Sequence, residues 1–179
     1  DLLEGEGEAI DLYLVDGGRA LFLLDPETPQ TFRDIIADWA IVLGNGSIVD
    51  PGRSLATDTR TPLISPSQYL PFPITEVLES PSLFPGVTSI DVVIDPEDLP
   101  QGILFIPLAF TSEISWLEMD PESDSFDGDV DIPGPLLVAS AIMANQPLRE
   151  GAEPSADLTK LVVFGDSDFA TNFFYSYNS

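Results

Sequence analysis

Two groups of acidic residues hold the most chemical promise in this sequence. Asp166 and Asp168 flank Ser167 just after the apolar run Leu158 to Phe164, and Asn172 follows four residues later. Such a run reads as a buried strand, and the carboxyl end of a strand in an open α/β sheet is where ligands bind. Carboxylates there suit a divalent cation or a polar ligand, so Asp166, Ser167, Asp168 and Asn172 are the candidate ligand-binding residues. The second group is denser: Asp120, Glu122, Asp124, Asp127, Asp129 and Asp131 give six acids in twelve residues. Hard cations take several carboxylate oxygens from a flexible segment, which makes Asp120, Asp124, Asp127, Asp129 and Asp131 candidate calcium ligands. The spacing departs from an EF-hand, because the loop's required glycine is missing near Phe126. A solvated, exposed charge run is the plainer reading.

The sequence has no histidine and no cysteine. That removes the usual nucleophile–base pairs, any disulfide framework and any zinc–thiolate site. Gly165-Asp166-Ser167 looks like the Gly-Asp-Ser start of an SGNH-type esterase, whose serine needs a histidine further along the chain, and none follows. The expectation is a protein that is not an enzyme and needs no cofactor. In that reading the turn serves structure, with Asp166 or Ser167 capping the helix after it. A metal held by Asp166 and Asp168 is the enzymatic alternative, and a calcium-stiffened cell-surface domain is the structural one.

The charge balance narrows the partners. Against 31 Asp and Glu there are 6 Lys and Arg, a formal charge of -25 over 179 residues. Such a field repels nucleic-acid phosphate and anionic lipid headgroups, so neither nucleic acid nor contact between these residues and a membrane is expected. No stretch approaches the roughly 20 apolar residues that span a bilayer.

The elements that must position the acids follow from pattern. Leu3, Ile10, Tyr13 and Leu14 fall near one helical face, with Glu4, Glu8 and Asp11 elsewhere and Gly17-Gly18 at the end. Ala20 to Leu24 reads as a covered strand. Thr28 as N-cap, Pro29 at the first helical position, and Phe32, Ile35, Ile36 and Trp39 at i, i+3, i+4 and i+7 make the best helix, with Trp39 as packing. Ser47 to Val49 is a short strand. The proline-rich stretch from Pro51 to Pro85 predicts loops and one short helix. Ser89 to Ile94, Gly102 to Phe110, Ile114 to Glu118, Pro135 to Ala144 and Leu158 to Phe164 predict strands, Trp116 facing either core or surface, and Phe169, Phe173 and Phe174 a closing helix. Helices alternating with buried strands at both ends, and strands between, argue an α/β layered domain over residues 1–179 with a mixed sheet.

An ordered series of short pieces resembles the GldG-type auxiliary proteins of ABC transport systems. The pieces are Gly17 to Pro26 (GGRALFLLDP), Phe72-Pro73-Ile74-Thr75, Leu83-Phe84-Pro85-Gly86, Thr111-Ser112 with Ser115-Trp116, Gly134-Pro135-Leu136, and Val162 to Ala170 (VVFGDSDFA). The resemblance runs from about Ile10 to Asn172. The resemblance implies a three-layer mixed sheet similar to the flavodoxin-like or class I glutamine amidotransferase-like folds, a fold shared by an intraflagellar transport domain. It further implies an extracytoplasmic scaffolding or binding module, anchored by membrane helices outside these residues, with an ABC permease and ATPase as partners. Phe72 departs from the pattern where relatives carry histidine. The first strand and helix pairs of a full-length relative are expected to be missing, which leaves a sheet edge for a homodimer or open.

Overall fold

The computed structural model describes residues 2–3, 5–55, 58–93, 99, 102–149 and 151–175. Glu4, Ile94, Asn178 and Ser179 lie outside the described residues. In chain order the elements are α1 (Glu6–Val15), β1 (Arg19–Leu23), α2 (Gln30–Ala37), β2 (Ile41–Leu43), β3 (Ser47–Val49), β4 (Ser54–Leu55), β5 (Asp58–Ile64), β6 (Ser82–Leu83), β7 (Ile90–Val92), β8 (Ile103–Phe110), β9 (Trp116–Glu118), β10 (Ile132–Pro133), β11 (Leu137–Ala144), β12 (Thr159–Phe164) and α3 (Asn172–Tyr175). Among the described residues, 3-10 turns join them at Pro66–Gln68 and Asp168–Ala170.

The expected α/β class with a mixed sheet holds. The central sheet runs β1-β12-β11-β8, with β1 parallel to β12 and the other pairs antiparallel. Its strands are the apolar runs that the sequence marks as strands, and alternation along them supplies two core faces. Leu161 and Val163 point toward α1 and α2, where they meet Leu14, Phe22, Ile35, Ile36 and Trp39. Val162 and Phe164 point the other way, toward Ile64, Phe84, Leu108 and Val138. Helices cover the first face, whereas short strands, turns and a 3-10 turn cover the second. Each fully buried Leu, Ile or Phe contributes about 1.5–3 kcal/mol relative to exposure, so both faces matter to stability.

The two leading helices differ from expectation in detail. α1 ends in a Schellman motif: Gly17 takes φ 85°, its N–H reaches Leu14 O, and Gly18 N–H reaches Tyr13 O. Only Leu14 of its residues is fully buried, while Leu3 precedes the helix and is 74% exposed. Tyr13 leaves the helical face because its hydroxyl bridges Arg19, accepting from the N–H and donating to the C=O at 3.0 Å each. α2 begins one residue later than its sequence suggests, with Pro29 and not Thr28 at the cap position and no side-chain cap. Arg33 instead ties the region together by donating to the carbonyls of Pro26, Thr28, Leu43 and Gly44. Ile35, Ile36 and Trp39, at i+3, i+4 and i+7 from Phe32, are buried as the helical pattern requires.

The stretch read as loops holds regular structure. β5 is seven residues long and pairs with β4 and β6 in antiparallel fashion. Its polar first half and Pro62 hide it, since Asp-Thr-Arg-Thr-Pro lacks apolar alternation and proline seldom sits inside a strand. β2 is likewise hidden behind the helix before it, and pairs with β7.

Candidate functional site

β1 and β12 end side by side, and their following turns are bound together by side chains. Ser167 donates through its N–H to Asp25 Oδ1 at 2.7 Å and through its hydroxyl to Asp25 Oδ2 at 2.6 Å. Asp166 Oδ1 accepts the N–H of Asp168 at 2.7 Å, an Asx turn that opens the 3-10 turn. Ser167 stands at the cap position of that turn but makes no cap bond, because its hydroxyl is spent on Asp25. Gly165 is needed where it is: a Cβ there would lie 2.2 Å from Thr88 O, and Thr88 N–H donates to Gly165 O at 2.7 Å.

Asp166 is fully buried and its Oδ2 has no hydrogen-bond partner among the described residues. Burial pushes its carboxyl up to about 7, the neighbouring Asp25 and Asp168 carboxylates push the same way, and hydrogen bonds from the backbone of Asp168 and Phe169 oppose them. Asp168 is exposed, and Asn172 is exposed at the start of α3. Asp166, Ser167 and Asp168 therefore share one turn, but they do not converge on a common point. Among the described residues no group of three or more acids is placed to hold a metal ion.

The acidic loop is tied down by Arg60 and by its own turns. Arg60 Nε meets Asp124 Oδ1 at 2.7 Å, and its guanidinium also donates to the carbonyls of Asp120 and Ser123. Asp131 is buried and accepts the N–H groups of Met119 and Asp127, while Asp127 accepts that of Asp129 and Asp120 that of Glu122. Phe126 packs its ring edge-on against Trp116 at 5.9 Å. Trp116 itself is buried, and its Nε1 donates to Glu118.

A groove of about 400 Å³ opens on the second face of the central sheet, beside β1. Phe84, Phe164 and Phe169 form its floor, with ring centroids 5.1 to 6.1 Å apart. Leu21, Ile74 and Leu78 wall it, and the Tyr69 and Ser82 hydroxyls give it a polar rim. Burial pushes the Tyr69 phenol above its ordinary value, against a hydrogen bond with Ser82. Leu21 is 62% exposed, an unusual state for a leucine in a central sheet. An apolar cavity of this size with a few hydroxyls has the anatomy of a binding site, and among the described residues no charged side chain lines it.

No sequence periodicity marks this groove, since its residues come from several separate segments. The short pieces behind the resemblance do converge on it: Leu21, Ile74, Thr75, Phe84, Phe164 and Phe169 belong to them and all line it. The other pieces make a structural knot. Thr111 Oγ1 lies 2.6 Å from Ser115 Oγ and accepts Leu136 N–H at 2.8 Å, and Gly134 sits so near Ser115 Oγ that a Cβ would come within 2.2 Å. Buried Asp50 joins the knot by accepting both the N–H and the hydroxyl of Ser112.

The fold defines an α/β domain of the kind found in the N-terminal domain of mmIFT52. That solved structure superposes with a TM-score of 0.62 at 14% sequence identity, over 99% of this chain. The chain spans 66% of that domain's length. No protein-family model and no curated protein sequence matches the chain.

Proposed function

We propose that the chain is a non-catalytic binding or scaffolding module that acts by holding a partner against its central sheet. The apolar groove beside β1 carries this reading, because its walls offer packing surface and a few hydroxyls, and among the described residues no charged side chain lines it. Without histidine or cysteine the chain lacks the usual nucleophile–base pairs.

The resemblance to GldG-type proteins extends the reading. In it the module lies on the extracytoplasmic face of the cell membrane, anchored by helices beyond this chain, and works with the permease and ATPase of an ABC-type export or gliding-type complex. None of the described helices is long and apolar enough to cross a membrane, so anchoring would fall to other segments. Isolation of the tagged full-length protein from its own cells tests this. Permease and ATPase subunits recovered in fixed stoichiometry support the proposal, and a protein that fractionates alone contradicts it. Calorimetric titration with calcium, magnesium and manganese tests the metal-dependent alternatives, which require a saturable site.

A further inference from the structure

The bare edge of β1 has a chemistry of its own. Lys160 N–H donates to Gly18 O and Leu24 N–H donates to Phe164 O, which fixes the parallel ladder: Gly18, Ala20, Phe22 and Leu24 bond to β12. The main-chain groups of Arg19, Leu21 and Leu23 therefore point outward. Those of Arg19 are taken by the Tyr13 hydroxyl. Those of Leu21 and Leu23 have no partner among the described residues. The opposite edge of the sheet differs, for Leu70 N–H donates to Leu108 O and Tyr69 bridges Ala109 along β8.

The side chains on this edge are ordered as well. Arg19, Leu21 and Leu23 share the face that carries the groove, and Arg19 stands directly beside Lys160 in the strand register. Both cations are exposed. In a chain of charge -25 one expects each cation to have found an acid, yet neither of these side chains has a hydrogen bond or ion pair among the described residues. Of the other four, Arg60 and Arg149 pair with acids, and Arg33 and Arg53 donate to neutral oxygens. Asp157 lines the same hollow as Arg19 and Lys160 without pairing to either. Two adjacent unpaired cations repel each other, and an incoming carboxylate relieves that repulsion.

We infer that β1 receives an extended peptide segment of a partner protein, whose acidic side chain meets Arg19 and Lys160. Two apolar side chains, at two-residue spacing from that acid, lie along Leu21 and over the groove. The segment adds a strand by bonding to Leu21 and Leu23, while the Tyr13 hydroxyl ends the ladder at Arg19 and so sets the register. This rests on the binding-module reading and names its partner's chemistry.

The test uses two capped peptides with alternating threonines, one carrying Ile-Thr-Ile-Thr-Glu and the other the reverse order, because the added strand runs in one of two directions. Fluorescence anisotropy measures binding to the full chain. One of the two is expected to bind saturably, and hydrogen exchange at the Leu21 and Leu23 amides should slow on binding. Reversing charge with Arg19→Glu plus Lys160→Glu on the exposed surface should weaken that peptide by about tenfold or more and strengthen the version with lysine in place of glutamate. That swap cannot come from misfolding. Failure of both peptides to bind, or affinities indifferent to the swap, would overturn the inference. A concentration-dependent dimer that Leu21→Lys dissociates would place a second copy on the edge and overturn it as well. If the peptides fail while permease and ATPase subunits still co-isolate, the edge assignment falls and the module stands. If a peptide binds with the charge swap while those subunits do not co-isolate, the edge assignment stands and the transport complex falls.

Discussion

Asp166→Asn should change how stability depends on pH. In the folded protein the Asp166 carboxyl is pushed up to about 7, chiefly by burial, against 3.8 as its ordinary value. Below pH 3.8 the group is protonated in both states and contributes no pH dependence. Between 3.8 and about 7 the unfolded chain has released its proton and the folded chain keeps it, so stability falls as pH rises. Above 7 the loss is complete, at about 1.4 kcal/mol for each of roughly three pH decades, or about 4 kcal/mol at most. Asparagine keeps the shape, its Oδ1 still accepts the Asp168 N–H, and it cannot ionise. Urea unfolding, followed by the fluorescence of Trp39 and Trp116, gives the difference between variant and wild type at each pH. Other acids titrate in both proteins and cancel from that difference. Relative to wild type, the variant should gain roughly 2–4 kcal/mol between pH 4 and pH 8. A difference that is flat with pH would refute the buried, proton-holding Asp166.

Three other substitutions probe other supports of the fold. Asp50→Ala leaves the donors of Gly52, Arg53 and Ser112 without their acceptor and should cost about 3–5 kcal/mol in chemical denaturation. Gly165→Ala forces a methyl against Thr88 O and should cost about 1–3 kcal/mol or more, read as a lowered melting temperature. Ile36→Ala, in a fully buried site on α2, should cost about 2–5 kcal/mol, and a near-neutral result would mean that the α2 face is not core.

The legible parts of this fold are those where local pattern and tertiary role agree. β8, β11 and β12 are apolar runs because the sheet is covered on both faces, and α2 shows its period because one stripe alone is buried. β5 is illegible since its strand character comes from pairing with β4 and β6, not from its own residues. Tyr13 misleads for a related reason: its spacing suits a core face, yet its hydroxyl finds better partners at Arg19. The turn at Asp166 is visible as a strand end followed by Gly-Asp-Ser. Asp25 as the acceptor for Ser167 is not, because that contact spans 142 positions. The groove is still further from sequence, because a concave apolar surface leaves no periodic trace when several distant segments each supply a few side chains.

Hydrogen exchange on the full-length protein, alone and in the complex isolated with its membrane partners, tests the binding-module claim most directly. The account predicts slowed exchange on complex formation along β1 and in the Phe72 to Leu78 and Asp166 to Ala170 turns that frame the groove. Unchanged exchange in all three segments, with protection confined to the opposite, helix-covered face, would contradict it.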